Sequence, residues 1–187
     1  MERALWIRRN YPNRSENRLI TYKKELQFVK ALRHVEYAMS LSGPKKWLMG
    51  GYIYWKLWYV LLSKMNHVEI PPFVFDQGLM IMHLQNIMIS AETKVGKYCC
   101  LYHNTTMGIS NGRNDKGMCP VLGDGITICA GAGLFGDIEI ADGITIGANA
   151  VVTKSFRERN CVIGGVPAKV ISHDAGFQML KFKDKVI

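Results

Sequence analysis

Leu122-Gly-Asp-Gly-Ile-Thr-Ile128-Cys-Ala-Gly-Ala-Gly-Leu134-Phe-Gly-Asp-Ile-Glu-Ile140-Ala-Asp-Gly-Ile-Thr-Ile146-Gly-Ala-Asn-Ala-Val-Val152 places an aliphatic residue at every sixth position. An earlier run, Ile89, Val95, Leu101 and Met107, keeps the same step. A period of six matches neither the 3.6-residue repeat of a helix nor the two-residue alternation of a strand. It is the signature of hexapeptide repeats, in which three hexads close one triangular coil of a parallel β-helix.

The register predicts which side chains fill the prism. The aliphatic residue points inward, and a small or branched residue four places later lines the interior beside the corner. Those second positions read Thr93, Cys99, Thr105, Ile126, Ala132, Ile138, Ile144 and Ala150. Gly or Ala often follows the aliphatic residue (Gly96, Gly108, Gly123, Ala141, Gly147), where a tight corner admits little bulk.

Working outward, the chain divides into a basic N-terminal helical region (1–67), the β-helix (68–171) and a polar tail (172–187) expected to be helical. The first 67 residues carry 13 Lys+Arg against 4 Asp+Glu, which accounts for the entire net charge of +9; the remainder holds 11 of each. That segment faces an anionic partner or solvent. Helical spacing runs from about Ser15 to Met39 through Leu19, Tyr22, Leu26, Val29 and Leu32. Ser42-Gly-Pro44 breaks it, and a second, aromatic-rich helix runs from about Lys45 to Met65, with Gly50-Gly51 as a candidate kink. This second helix is interrupted by Lys56 and is too short for a membrane span. Apolar most of the way round, it is expected to be buried against its partner helix or against a neighbouring subunit; lying in a membrane interface is the alternative, given its Trp, Tyr and Lys content.

At 48% hydrophobic and 21% charged, the chain is globular. Its five cysteines include an adjacent pair and no CxxC, which argues against a disulfide framework and a zinc knuckle and for reduced thiols in a cytoplasmic protein. The N-terminus lacks the apolar core of a signal peptide. The aperiodic segment Ile109–Cys119 is expected to be a loop thrown out from a corner, as a lid or arm over a site.

Counting coils stacks Ile81, Leu101, Ile128 and Ile146. The residues two places on, His83, His103, Ala130 and Ala148, then fall on one edge about 4.8 Å apart. Two imidazoles sit at one end of this column and two alanines leave room at the other. A slender chain can lie along the alanines, held by backbone groups as an added strand is, with its reactive tip at the histidines. Imidazole has the basicity to take a proton from an alcohol near neutral pH.

Residues 69–171 resemble the hexapeptide-repeat acyltransferases, which are left-handed β-helices, and within them the serine acetyltransferase-like branch. The resemblance rests on Gly78-Leu-Met-Ile-Met-His83-Leu-Gln-Asn-Ile-Met-Ile, Ile128-Cys-Ala-Gly-Ala, Ile146-Gly-Ala-Asn-Ala-Val-Val-Thr-Lys154 and Gly165-Val-Pro-Ala-Lys169. The two-helix lead is similar to that of members linked to capsule and exopolysaccharide synthesis. The resemblance implies acetyl-CoA as donor, a homotrimer with active sites between neighbouring prisms, and no metal. It implies His83 as the catalytic base, with Glu69 as its carboxylate one coil earlier, at a spacing one residue shorter than the family's. It also implies CoA contacts at Ala130 and Ala148, with Gly108, Lys154 and Lys169 as further cofactor candidates. His103, Asp76 and Met82 are candidates for the acceptor.

Two departures bear on that acceptor. Serine acetyltransferases have Asp immediately before the catalytic histidine, where this chain has Met82. They also have an Arg-His pair before a proline in the protruding loop, where Met118-Cys119 precedes Pro120. A free amino acid needs charged partners for its carboxylate and ammonium. The sequence therefore favours O-acetylation of a sugar or envelope polysaccharide precursor, with serine O-acetylation as the alternative. A further alternative is a non-catalytic scaffold whose basic helices bind a membrane or nucleic acid; for the enzyme too, those helices are candidates for a peripheral contact at the inner face of the membrane. A zinc hydrase of carbonic-anhydrase type lacks its three histidine ligands, and no nucleic-acid-binding motif is present.

Overall fold

In the computed structural model the described residues are 23–41, 51–110 and 118–175. Helix α1 spans Lys23–Ser40 and α2 spans Tyr52–Asn66. Gly51 forms the N-cap of α2 in the left-handed region (φ 50), so it starts this helix and does not kink it. The expected helix starts near Ser15 and Lys45, the tip of the loop (111–117) and most of the tail lie outside the described residues.

From Val68 the chain winds as a left-handed parallel β-helix. The first face stacks Val68–Glu69, Ile87–Ile89, Thr106–Gly108, Gly133–Phe135 and Val151–Val152. The second stacks Lys94–Val95, Val121–Leu122 and Glu139–Ile140, extended by bridges from Phe75 to Val95 and from Ile140 to Phe156. The third stacks Met80–Ile81, Cys100–Leu101, Thr127–Ile128, Thr145–Ile146 and Val162–Gly164, with Lys169–Ser172 added antiparallel at the end. Such two- and three-residue strands are stable only because each coil hydrogen-bonds to the next and buries its aliphatic residue over its neighbour's.

The hexad register is borne out. Ile81 pairs with Leu101, Leu101 with Ile128, and Ile128 with Ile146. The ten aliphatic positions are all buried, as are all eight second positions. Each fully buried Leu or Ile contributes about 1.5–3 kcal/mol, and among the described residues these side chains form one continuous cluster along the prism.

The corners need left-handed backbone at fixed places. Between the second and third faces these are Gly78, Tyr98, Gly125, Gly143 and Asn160; between the third and first, Asn86, Asn104, Gly131 and Asn149. Gly and Asn predominate because they tolerate positive φ. Helix α1 packs on the prism through Phe28, Val29 and Leu32, which belong to the same core as Ile70, Leu79 and Leu84. Helix α2 is anchored by Leu62 and by the Tyr59 hydroxyl, which donates to the Ile70 carbonyl at 2.8 Å. Its outward side, however, is exposed at Ile53, Tyr54, Leu57, Trp58, Leu61 and Met65. Within this chain the second helix is thus buried only on the side that meets α1 and the start of the prism. Among the described residues no helix is long and apolar enough to cross a membrane.

Candidate active site

The edge between the third and first faces carries the column read from sequence. The His83 and His103 rings lie 5.5 Å apart, centroid to centroid, at 75°. Below them the backbone continues the edge: Gly131 donates to the His103 carbonyl at 3.1 Å and Asn149 to that of Ala130 at 2.9 Å. Ala130 is half-buried and Ala148 exposed, so no side chain beyond a methyl blocks the edge at either position.

The top of the column departs from simple stacking. Asn86 donates to Asn66, and Asn104 donates to the Gln85 carbonyl at 3.1 Å, so Gln85 occupies the rung above His103. The two extra residues of this coil form a bulge at Met82–Gln85, closed by Gln85 N–H donating to His83 O at 3.0 Å. A bulge re-aims the side chain it carries. His83 is thereby exposed at the head of the edge, while its ring still meets those of His103 and Tyr102, the latter 6.4 Å away. The Nδ1 atom of His103 is enclosed and has no hydrogen-bond partner. A buried polar atom without a partner is costly, and here it lies in a ring beside the candidate base.

The remaining candidates sit elsewhere on the chain. Glu69 is exposed on the first face and pairs with Met88, five residues past His83. Met82 is half-buried at the start of the bulge. Asp76 lies on the edge between the second and third faces; its backbone carbonyl accepts from Arg33, and its side chain accepts from Gln77 N–H at 2.7 Å. Gly108 ends a first-face strand, and its carbonyl accepts from Gly136 at 2.9 Å. Lys154 is exposed on the first-to-second edge, its Nζ 5.4 Å from the Phe156 ring centroid. Lys169 is exposed opposite Gly164. Within one chain, then, His83, His103, Met82, Ala130 and Ala148 share an edge, whereas Asp76, Gly108 and Lys154 stand on the other two.

Two residues near His83 were not singled out from sequence. Tyr102 stands level with Met82 by the Ile81–Leu101 pairing, a place the coil count alone would have given. Glu25 of α1 accepts from Leu84 N–H at 3.3 Å; no periodicity announces a contact across 59 residues.

The thiols are poor nucleophile candidates. All five cysteines are free, and four are buried. Burial pushes Cys100 up to about 12 and raises Cys99 and Cys129 as well, leaving little thiolate near neutral pH. Among the described residues no three His, Cys, Asp or Glu side chains converge to hold a metal.

The fold and this edge define a hexapeptide-repeat β-helix protein. Within that class the chain is similar to serine acetyltransferases. It is 33% identical over 105 residues to the Synechococcus elongatus serine acetyltransferase, covering 56% of this chain and 42% of that protein. It is 33% identical over 108 residues to the Helicobacter pylori serine acetyltransferase, covering 57% and 62% respectively. The crystal structure of the Brucella abortus serine acetyltransferase in complex with coenzyme A superposes with a TM-score of 0.68 at 20% identity, covering 91% of this chain and 65% of that one. At that identity the likeness shows the shared fold. The chain spans 42% to 65% of the length of these three proteins. No protein-family model matches it.

Proposed function

We propose that this chain is an acetyl-CoA-dependent O-acetyltransferase of the serine acetyltransferase type, with L-serine as acceptor. The observation that carries the reading is the His83–His103 ring pair, 5.5 Å apart at the head of an edge that continues over Ala130 and Ala148. The similarity to serine acetyltransferases favours serine over the envelope sugar expected from sequence.

The acetyl donor lies along the alanines, with its thioester at the imidazoles. His83 takes the acceptor hydroxyl proton as the oxygen attacks the thioester carbonyl. The C–S bond then breaks and the thiolate recovers the proton from His83, so the step balances without an acyl-enzyme. Glu69 fixes the tautomer of His83, as a triad carboxylate does; Glu69→Gln should then lower kcat more than it raises KM. A backbone N–H near Gly108 stabilises the oxyanion, and Lys154 and Lys169 meet CoA phosphates. Asp76, Gly108 and Lys154 stand on other edges than His83, so their joining one site requires a second copy; a homotrimer with sites between prisms supplies it.

A sugar hydroxyl is the second reading, and one observation favours it. The positions where the family offers charge to the amino acid are Met82, Met118 and Cys119, all three uncharged; Cys119 is buried, with its Sγ 3.4 Å from Ser90 Oγ. The experiment is release of free thiol from acetyl-CoA with L-serine and with a sugar panel, for the natural chain and for His83→Ala. Serine-dependent release lost in the variant supports the proposal. Release only with sugars moves the acceptor to the second reading, and full turnover by His83→Ala overturns the role of the histidine.

A further inference from the structure

The geometry points to a membrane-docking surface on α2: we propose that its outward side lies in the headgroup region of an anionic phospholipid surface. Ile53, Tyr54, Leu57, Trp58, Leu61 and Met65 follow a three- and four-residue spacing down one side of the helix, and each is exposed, from 38% at Trp58 to 65% at Leu57 and Met65. A contiguous apolar surface of this kind on a folded chain marks an interaction site. Its composition is interfacial: Trp and Tyr favour the headgroup level, and Leu, Ile and Met the acyl boundary just beneath. Lys64 is exposed in the last turn of the helix.

The opposite side of α2 holds the surface in place. Leu62 is buried, Tyr59 is hydrogen-bonded to Ile70, and Trp55 stacks on His34 of α1 at 4.1 Å and 7°. The apolar side is therefore presented on a helix already fixed to the prism, so docking costs little ordering entropy.

Charge selects the occupant. The whole net charge of +9 belongs to residues 1–67, the segment that contains α2, while the rest of the chain is neutral. Helix α2 itself carries Lys56 and Lys64 and no acidic residue, so a second copy brought helix to helix would set like charges against each other. An anionic lipid surface attracts the same charge and accepts the apolar side.

The test uses the full chain with large vesicles of phosphatidylcholine alone and of phosphatidylcholine with about 30% phosphatidylglycerol, followed by co-sedimentation. Binding should require the anionic lipid, weaken several-fold between low and high salt, and fall on the order of tenfold in Leu57→Ser/Leu61→Ser, as apolar burial at an interface dictates. Circular dichroism checks that this variant keeps its fold. If it does not, quenching of tryptophan fluorescence by brominated lipid in the natural chain takes its place: quenching supports insertion and its absence overturns it. Equal binding to neutral vesicles, or none to anionic ones, overturns the proposal. So does a lipid-free assembly, seen by sedimentation, that loses subunits when Leu57 and Leu61 are changed, since the surface would then belong to a second copy.

Discussion

Leu84 donates its backbone N–H to Glu25 Oε1 at 3.3 Å. This bond ties the first turn of α1 to the residue beside His83, on the bulge that sets the direction of the imidazole. Leu84 is buried, and its bond to Glu25 is itself part-buried. Glu25→Ala removes this part-buried bond, at about 0.5–1.5 kcal/mol. Turnover of acetyl-CoA is expected to fall on the order of tenfold, since small displacements of a reacting group are costly. Glu25→Gln keeps an acceptor oxygen and should recover most of the rate. Steady-state kinetics on the two variants check this.

The alanine end of the edge yields a prediction with the opposite kinetic signature. Ala148 is exposed and Ala130 half-buried on the column below the histidines. Ala148→Leu adds bulk outward, where the fold has room. If the donor lies along this edge, KM for acetyl-CoA should rise about tenfold or more while kcat changes less, as for loss of uniform binding. An unchanged KM would move the donor to another edge of the prism.

Ile128 stacks between Leu101 and Ile146 and is fully buried. Ile128→Ala removes a stacking partner from both neighbours and leaves a cavity that short, cross-bonded strands cannot close. The expected cost is about 2–5 kcal/mol, measured as a lower urea midpoint.

The prism was legible in the sequence because one physical rule, an inward aliphatic side chain every sixth position, fixes the pairing of every coil. The Ile81–Leu101–Ile128–Ile146 column follows from counting alone. What counting missed lies where local geometry breaks the rule. The two extra residues after Ile81 could be counted, but only the backbone bonding shows that Gln85 takes the rung above His103 while His83 swings onto a bulge. Glu25 was invisible because its contact depends on how a helix packs. The exposure of one side of α2 within the chain is not legible either, because an all-round apolar pattern does not say which neighbours cover it.

The helix pair carries a pH dependence of its own. His34 stacks on Trp55 at 4.1 Å, and Lys30 Nζ sits 5.0 Å from the same indole. Burial first, and then the charge of Lys30, hold His34 below its ordinary value of 6.5. The folded chain therefore prefers the neutral imidazole. Above about pH 6.5 both states are neutral there and the stacked pair contributes in full. As pH falls below that value the unfolded chain takes up the proton first, so stability declines until the pH passes the folded-state pKa of His34. The melting temperature should accordingly drop between about pH 7.5 and 5.5, and His34→Phe, which keeps a ring on Trp55 but cannot titrate, should flatten part of that slope. The difference between the two slopes isolates His34 from the other histidines, which both proteins share. Parallel slopes would show that the proton taken up on unfolding belongs elsewhere.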